Sequence, residues 1–268
     1  MMHPYRLACG HFEPRAREKQ HNIARMIELA EQAAYHRCNL ILFPELITTA
    51  YLPSKELKPL AEPLNGNTIQ TLSNAALTLK ISMAFGFAEL DAEKNYRYNS
   101  LVVLDQKGEL AGLYRKTHLW NTEKKWAEPG SEVSVFDLDG IRTCGWVCYD
   151  TRFPEIARLG ALFGAELGLV PTAWLGPAEE WDLALRARAL DNTMFVAGAD
   201  LISKLPKCDC HGLSMIVDPR GRILARAEGD KQGIIYADLD PEILQKQKER
   251  VPLLKDRRTD LFDPLARD

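Results

Sequence analysis

No stretch of this 268-residue chain approaches the roughly 18 consecutive apolar residues of a membrane span. The N-terminus from Met1 to Cys9, broken by His3, Pro4 and Arg6, lacks the apolar core of a secretory signal. Neither sign of charge is in excess. Lysine and arginine total 34 against 37 acidic residues, a net charge of -3, which offers no long-range attraction to nucleic acid or anionic membrane. Low-complexity segments, long glycine–serine runs and composition breaks are also missing, so no domain boundary is marked. The six cysteines (Cys9, Cys38, Cys144, Cys148, Cys208, Cys210) are scattered through a long chain, which speaks for free thiols against a disulfide framework. These absences leave the expectation of a cytoplasmic protein whose partner is a small molecule, with neither nucleic acid nor membrane involved.

What is present suits a large buried core: 46% of the residues are hydrophobic and 26% charged. Ile23, Met26, Ile27, Ala30 and Ala34 recur at three- and four-residue steps and predict an amphipathic helix over 18–38. The apolar run Leu40-Ile41-Leu42-Phe43 predicts a strand covered on both faces, stopped by Pro44 with Glu45 just past its end. The pattern continues with a helix around 68–80, strands around 81–89 and 99–105, a turn at 105–108 and a strand ending at Lys116. A strand over 142–148, a helix opened by Pro154, a strand over 166–170 and a helix over 181–191 follow. Ser214 to Ala225 repeats the pattern of Ser100 to Ala111, a sign of two similar halves. The prediction is one α/β domain over 1–268, two packed sheets with helices outside, with the charged segment 246–268, which contains Pro252 and Pro264, as an extended C-terminal arm.

Three segments place a reactive group at a predicted strand end: Phe43-Pro44-Glu45, Tyr114-Arg115-Lys116-Thr117-His118, and Gly145-Trp146-Val147-Cys148-Tyr149-Asp150-Thr151-Arg152-Phe153-Pro154-Glu155. In order and flanking residues they resemble the three signature segments of the nitrilase superfamily of carbon–nitrogen hydrolases. The resemblance extends to Glu123-Lys-Lys-Trp126-Ala-Glu-Pro129-Gly130, to Arg186-Ala-Arg188-Ala-Leu-Asp191-Asn192, and to His211-Gly212-Leu-Ser214 with Asp218-Pro-Arg-Gly221, and so covers nearly the whole chain. It implies a four-layer α-β-β-α sandwich, a homodimer or larger homo-oligomer, and no cofactor or metal. It also implies Cys148 as nucleophile, Glu45 as general base, and Lys116 with the Tyr149 N–H at the oxyanion, the carbonyl carbon passing through a cysteine thioester. Glu123 answers to the family's second glutamate, which positions substrate, with Glu128 close by as the other candidate.

The groups themselves fit that chemistry. A free thiol ionises near pH 8.5, so a neighbouring cation or base is needed to make it a nucleophile at neutral pH, and Lys116 and Glu45 would supply both. Tyr149 follows the cysteine where nitrilases proper commonly carry tryptophan, and Thr151 precedes Arg152 where carbamoylases place two adjacent arginines. The resemblance therefore points to an amidase acting on a small aliphatic or ω-amide, ahead of a nitrilase or an N-carbamoyl amide hydrolase. Cys144, four residues before Cys148, is expected to be a buried core thiol. Cys208-Asp-Cys210-His211 lacks the spacing and second pair of a zinc site and is expected to be a loop leading into a strand. His118 is expected to be structural, Arg115, Arg186 and Arg188 to pair with acidic neighbours, and Trp146, Trp174 and Trp181 either to line the pocket, Trp174 foremost, or to be core.

Overall fold

Alternate residues of the run beginning at Leu40 face two different layers: Leu40 and Leu42 belong to one apolar cluster, Ile41 and Phe43 to another. A strand covered on both faces requires this division, and it sets the architecture. A computed structural model describes residues 5–205 and 208–261. In chain order the elements are β1 (Tyr5–His11), α1 (Lys19–Tyr35), β2 (Leu40–Leu42), α2 (Ser54–Leu57), α3 (Asn67–Leu79), β3 (Ser82–Asp91), β4 (Tyr96–Leu104), β5 (Leu110–Arg115), β6 (Val135–Leu138) and β7 (Ile141–Gly145). There follow α4 (Pro154–Leu162), β8 (Leu167–Thr172), α5 (Ala178–Asn192), β9 (Phe195–Asp200), β10 (Ile202–Leu205), β11 (Cys208–His211), β12 (Met215–Val217), β13 (Ile223–Arg226), β14 (Gly233–Leu239) and α6 (Pro241–Arg250).

Two six-stranded sheets run β14-β1-β2-β3-β4-β5 and β13-β12-β9-β8-β7-β6, with β10 and β11 as a separate hairpin. Leu40, Leu42, Leu101 and Val103 of the first sheet meet Cys144, Trp146, Leu167 and Leu169 in the core between the sheets. Met26 and Leu29 of α1 and Leu72 and Ala76 of α3 cover Ile41, Met83 and Phe85 on the outer face. Ile156 and Ala157 of α4 and Leu185 and Ala189 of α5 close the other side. The result is the predicted α-β-β-α sandwich. Truncating a fully buried core residue such as Leu42 to alanine costs about 2–5 kcal/mol in a core of this kind.

The internal likeness seen in the sequence extends to topology. In the first sheet β1, β2 and β3 are parallel and β4 and β5 return antiparallel. In the second β7, β8 and β9 are parallel and β12 and β13 return antiparallel. The halves differ where β10 and β11 are inserted between β9 and β12 and where α2 precedes α3 between β2 and β3.

Three expectations are corrected. The strand predicted over 142–148 ends at Gly145, and Cys148 opens a short 3-10 turn, Cys148–Arg152. Cys208 to His211 forms β11 itself, paired with β10, and is no loop. Lys246 to Arg250, assigned to the extended arm, completes α6: Pro241 stands at its first turn, the Asp240 side chain accepts from Glu242 N–H, and Lys246 pairs with Glu242 four residues back. Beyond Arg250 the chain is irregular up to a 3-10 turn, Thr259–Leu261, and the rest of the arm, including Pro264, lies outside the described residues.

Candidate active site

Strand ends deliver the polar groups to one place, as the C-terminal edges of parallel strands commonly do. Glu45 lies three residues past β2 and Lys116 one past β5, while Cys148 lies three past β7. Glu45 comes so close to β3 because Gly86 has no side chain: a Cβ there would stand 2.4 Å from the Glu45 Cα. Cys148 has φ 47°, the left-handed region that an L-residue seldom occupies. Asp150 holds that turn in place. It accepts from Val147 N–H at 3.1 Å within the turn, from Tyr114 Oη at 2.9 Å, and from Thr117 Oγ1 at 3.0 Å and His118 N–H at 2.8 Å beside Lys116. The cysteine turn is thereby tied to the lysine segment.

Lys116 Nζ donates to Glu45 Oε1 and to Glu123 Oε1, each at 2.8 Å, and all three side chains are buried. Glu45 Oε2 accepts the N–H of Ala173, just past β8, at 2.9 Å, and the Ala173 carbonyl lies 3.7 Å from Cys148 Sγ. The backbone of one residue therefore touches both the carboxylate and the thiol. Glu123 also accepts from Tyr51 Oη at 2.9 Å and from Trp120 N–H at 2.8 Å. Glu128 is exposed and takes no part, so Glu123 is the glutamate that enters the cluster.

Burial pushes the Cys148 thiol well above its ordinary range; the Glu45 carboxylate adds to the rise and Lys116 opposes it. The shift favours the thiol over the thiolate that a neighbouring cation alone would favour. Burial likewise raises the Glu45 carboxyl against the pull of Lys116. Burial also works against the Lys116 ammonium, but Glu123 and Glu45 outweigh it and hold the lysine charged well above its usual range. A neutral thiol beside a carboxylate and a fixed ammonium is the arrangement for proton removal during attack, not before it.

The thiol opens into a recess of about 470 Å³ lined by Tyr51, Lys116, Tyr149, Arg152 and Trp174 among others. Arg152 stands 4.8 Å over the Trp174 ring and pairs with Glu180, both side chains being nearly half exposed. Asp200, at the end of β9, accepts the N–H groups of Trp174 and Leu213 at 2.9 Å each and fixes the wall; burial pushes its carboxyl up to about 7. Tyr149 and Trp174 are in this wall. Trp146 and Trp181 are core.

The remaining expectations separate cleanly. Cys144 is buried, its thiol pushed up to about 12 by burial. His118 Nδ1 lies 2.8 Å from Asp150 and its ring stacks on Phe153, a structural placement. Arg115 is bound to Glu89, Arg186 to Asp182 and the Gly221 carbonyl, and Arg188 to the Thr151 carbonyl with Asp191 nearby. Cys208 and Cys210 are buried with their sulfurs 3.6 Å apart, whereas His211 is exposed, 3.6 Å from Asp230. Among the described residues no group of three or more His, Cys, Asp or Glu side chains is placed to hold a metal ion. Three contributors escaped sequence reading: Tyr51, the Ala173 peptide and Asn99, whose amide reaches Glu45 and Glu123. The Ala173 peptide contributes backbone atoms alone, and only the pairing of distant segments reveals it.

Comparison with known proteins agrees with this geometry. Residues 6–249 match the carbon-nitrogen hydrolase family model. The 2-oxoglutaramate amidase of Bacillus subtilis is 30% identical over 259 residues, 96% of this chain and 98% of that protein. The crystal structure of Saccharomyces cerevisiae Nit3, a member of branch 10 of the nitrilase superfamily, superposes with a TM-score of 0.88 at 32% identity, covering 95% of this chain and 97% of that one. An amidase from Nesterenkonia sp. AN1, seen with the acetamide moiety of fluoroacetamide covalently added at its active-site cysteine, superposes with a TM-score of 0.85 at 27% identity over 97% of this chain and 96% of that one. On its sequence and fold, the chain belongs to the carbon–nitrogen hydrolase family of the nitrilase superfamily.

Proposed function

We propose that this protein hydrolyses an ω-amide, a small amide with a carboxylate at its far end, to a dicarboxylate and ammonia. The observation that carries the reading is Arg152. Of the two cations lining the recess, Lys116 is committed to two carboxylates, whereas Arg152 is held by Glu180 in a half-exposed ion pair. Such a pair is worth little, so a substrate carboxylate can take Glu180's place on the guanidinium, whose fork suits it. The amidases among the relatives, including one acting on 2-oxoglutaramate, support the choice.

In the mechanism proposed, Glu45 takes the Cys148 proton as sulfur attacks the amide carbon, and Lys116 with the Tyr149 N–H stabilises the oxyanion. Glu123 and Tyr51 orient the amide nitrogen. The C–N bond breaks as Glu45 returns the proton, ammonia leaves, and a thioester remains. Glu45, again a carboxylate, deprotonates the water that attacks the thioester, and the thiol regains its proton as the acid leaves.

The test is ammonia release from ω-amides, simple aliphatic amides, N-carbamoyl amino acids and nitriles, with Cys148→Ala as the blank. Arg152→Leu is expected to raise KM for the ω-amide by about tenfold or more while leaving a simple amide within about threefold. Equal effects on both amides would remove the distal carboxylate from the reading; turnover of nitriles or carbamoyl compounds alone would replace it. We further propose a homodimer through α4 and α5, where Leu159, Leu162, Phe163, Leu183 and Leu190 are exposed side by side. Leu183→Glu should then shift the sedimentation coefficient to that of a monomer.

A further inference from the structure

Asn99 is fully buried in β4, in register with Ala88 of β3. Its main-chain oxygen accepts the backbone N–H of Lys116 at 2.8 Å. Its Nδ2 donates to Glu45 Oε1 at 2.7 Å and to Glu123 Oε1 at 3.1 Å, the same two oxygens that Lys116 Nζ holds. Two donors and two acceptors close a ring in which every edge is a charge-assisted hydrogen bond. The amide has only one tolerable orientation there: turned over, Oδ1 would face two carboxylate oxygens. In the orientation present Oδ1 has no partner among the described residues. A buried amide accepts that cost only where its donor side is needed.

We propose that Asn99 is a positioning residue for the general base, its amide linking Glu45 to Glu123 across the Lys116 ammonium and keeping Glu45 a carboxylate aimed at Cys148. The proposal rests on reading Glu45 as the base. Two carboxylates sharing one buried cation repel, and without further help one of them takes up a proton. A second cation would close each carboxylate into a complete ion pair and blunt it as a base. A neutral donor relieves the repulsion and leaves the basicity. The titratable groups bearing on Glu45 or on the ring are Lys116, Glu123, Cys148, Tyr51, Asp200 and Cys208. Of these the lysine is the cation and Tyr51 donates to Glu123 alone, so the Asn99 amide is the neutral donor that reaches both carboxylates.

The test uses Asn99→Leu in the full chain and two readouts over pH: kcat/KM for the ω-amide, and alkylation of Cys148 by iodoacetamide. Losing the donor favours protonated Glu45, so the acid limb of both is expected to move up by about one pH unit. kcat at the plateau should fall by about tenfold or more, with KM within about threefold. In a Glu123→Gln background the repulsion is gone, and Asn99→Leu should then move the alkylation limb by well under half as much. Alkylation needs no substrate, so an inert ω-amide counts against the substrate reading and leaves this one standing. An alkylation limb unmoved in a variant that still melts cooperatively overturns the proposal, as does an equal shift in both backgrounds. Should the leucine variant not fold, Asn99→Ala, which only removes atoms, carries the same two readouts.

Discussion

Two ionic clusters stand back to back across the same pair of strands. Ser100 and Arg115 are register partners, and Asn99 and Lys116 are the residues beside them, so each pair faces the opposite way. On one side Arg115 Nε lies 3.0 and 3.1 Å from the two oxygens of Glu89, the guanidinium rests 4.0 Å over Tyr98, and Ser100 Oγ donates to Glu89 at 2.6 Å. On the other, Lys116 is shared between Glu45 and Glu123 with Asn99 as second donor. The first cluster is closed in that a planar fork engages both oxygens of the buried Glu89 carboxylate, with Asp91 4.0 Å from the guanidinium. The second carries one cation for two carboxylates, and an ammonium has three N–H donors, two of which are spent. Among the described residues the third has no acceptor, and in the proposed mechanism it turns to the oxyanion in the recess that Lys116 and Cys148 line. Saturation makes a clamp; an unsaturated cluster, held by its surroundings, makes a candidate for chemistry.

Breaking the open cluster should have the largest effect. Cys148→Ala is expected to abolish ammonia release, and Lys116→Met to lower kcat by about a hundredfold or more with the far-ultraviolet circular dichroism unchanged. Turning the open cluster into a copy of the closed one, by Lys116→Arg, should be nearly as damaging, because the fork saturates its carboxylates and is too wide for the site. Retained activity in that variant would mean that charge alone matters there.

The pH profile separates the clusters next. In the proposed mechanism Glu45 acts as a carboxylate, and burial raises its carboxyl, so protonation, and loss of kcat/KM, should begin at a higher pH than for an ordinary carboxylate. Lys116 acts as a cation and is held charged beyond the usual lysine range, so it imposes no alkaline loss below about pH 10. An acid limb in the ordinary carboxylate range would point to a different base.

On the closed side Glu89→Gln is expected to lower stability by about 1–2 kcal/mol by urea titration, the figure being reduced because Arg115 is partly exposed. kcat/KM should stay within about threefold. Smallest of all is Cys144→Ala. With that thiol buried and pushed up to about 12, iodoacetamide should label Cys148 alone, and the variant should keep the parent's labelling stoichiometry and turnover.

How far the sequence reaches is visible in particular residues. The run from Leu40 to Phe43 announces a doubly covered strand because each residue faces one of two apolar layers, and the period-two pattern of such a strand is local information. Glu45, Lys116 and Cys148 were legible through their flanks, which belong to the turns just past strand ends. The strand expected to run on to Cys148 stops at Gly145 because the site needs the left-handed turn at that cysteine, and an apolar pattern does not encode a change of backbone direction. Helix α6 was missed because its face toward the core is narrow: Leu244 and Gln247 are its buried residues, and its charges read as a solvated tail.

By itself, then, the sequence determined the layers, the repeat of the two halves and the three strand-end segments that meet at the candidate site, since periodicity, turn residues and strand-end motifs act over a few residues. Only the tertiary structure decided which groups join them. Asn99 meets Glu45 across 54 positions and the Ala173 peptide meets it across 128. Glu123, rather than Glu128, turns into the cluster. Those contacts are closed by the register of neighbouring strands and by the packing of one sheet on the other, and their partners are set by burial, which requires every charge brought inside to find its complement there.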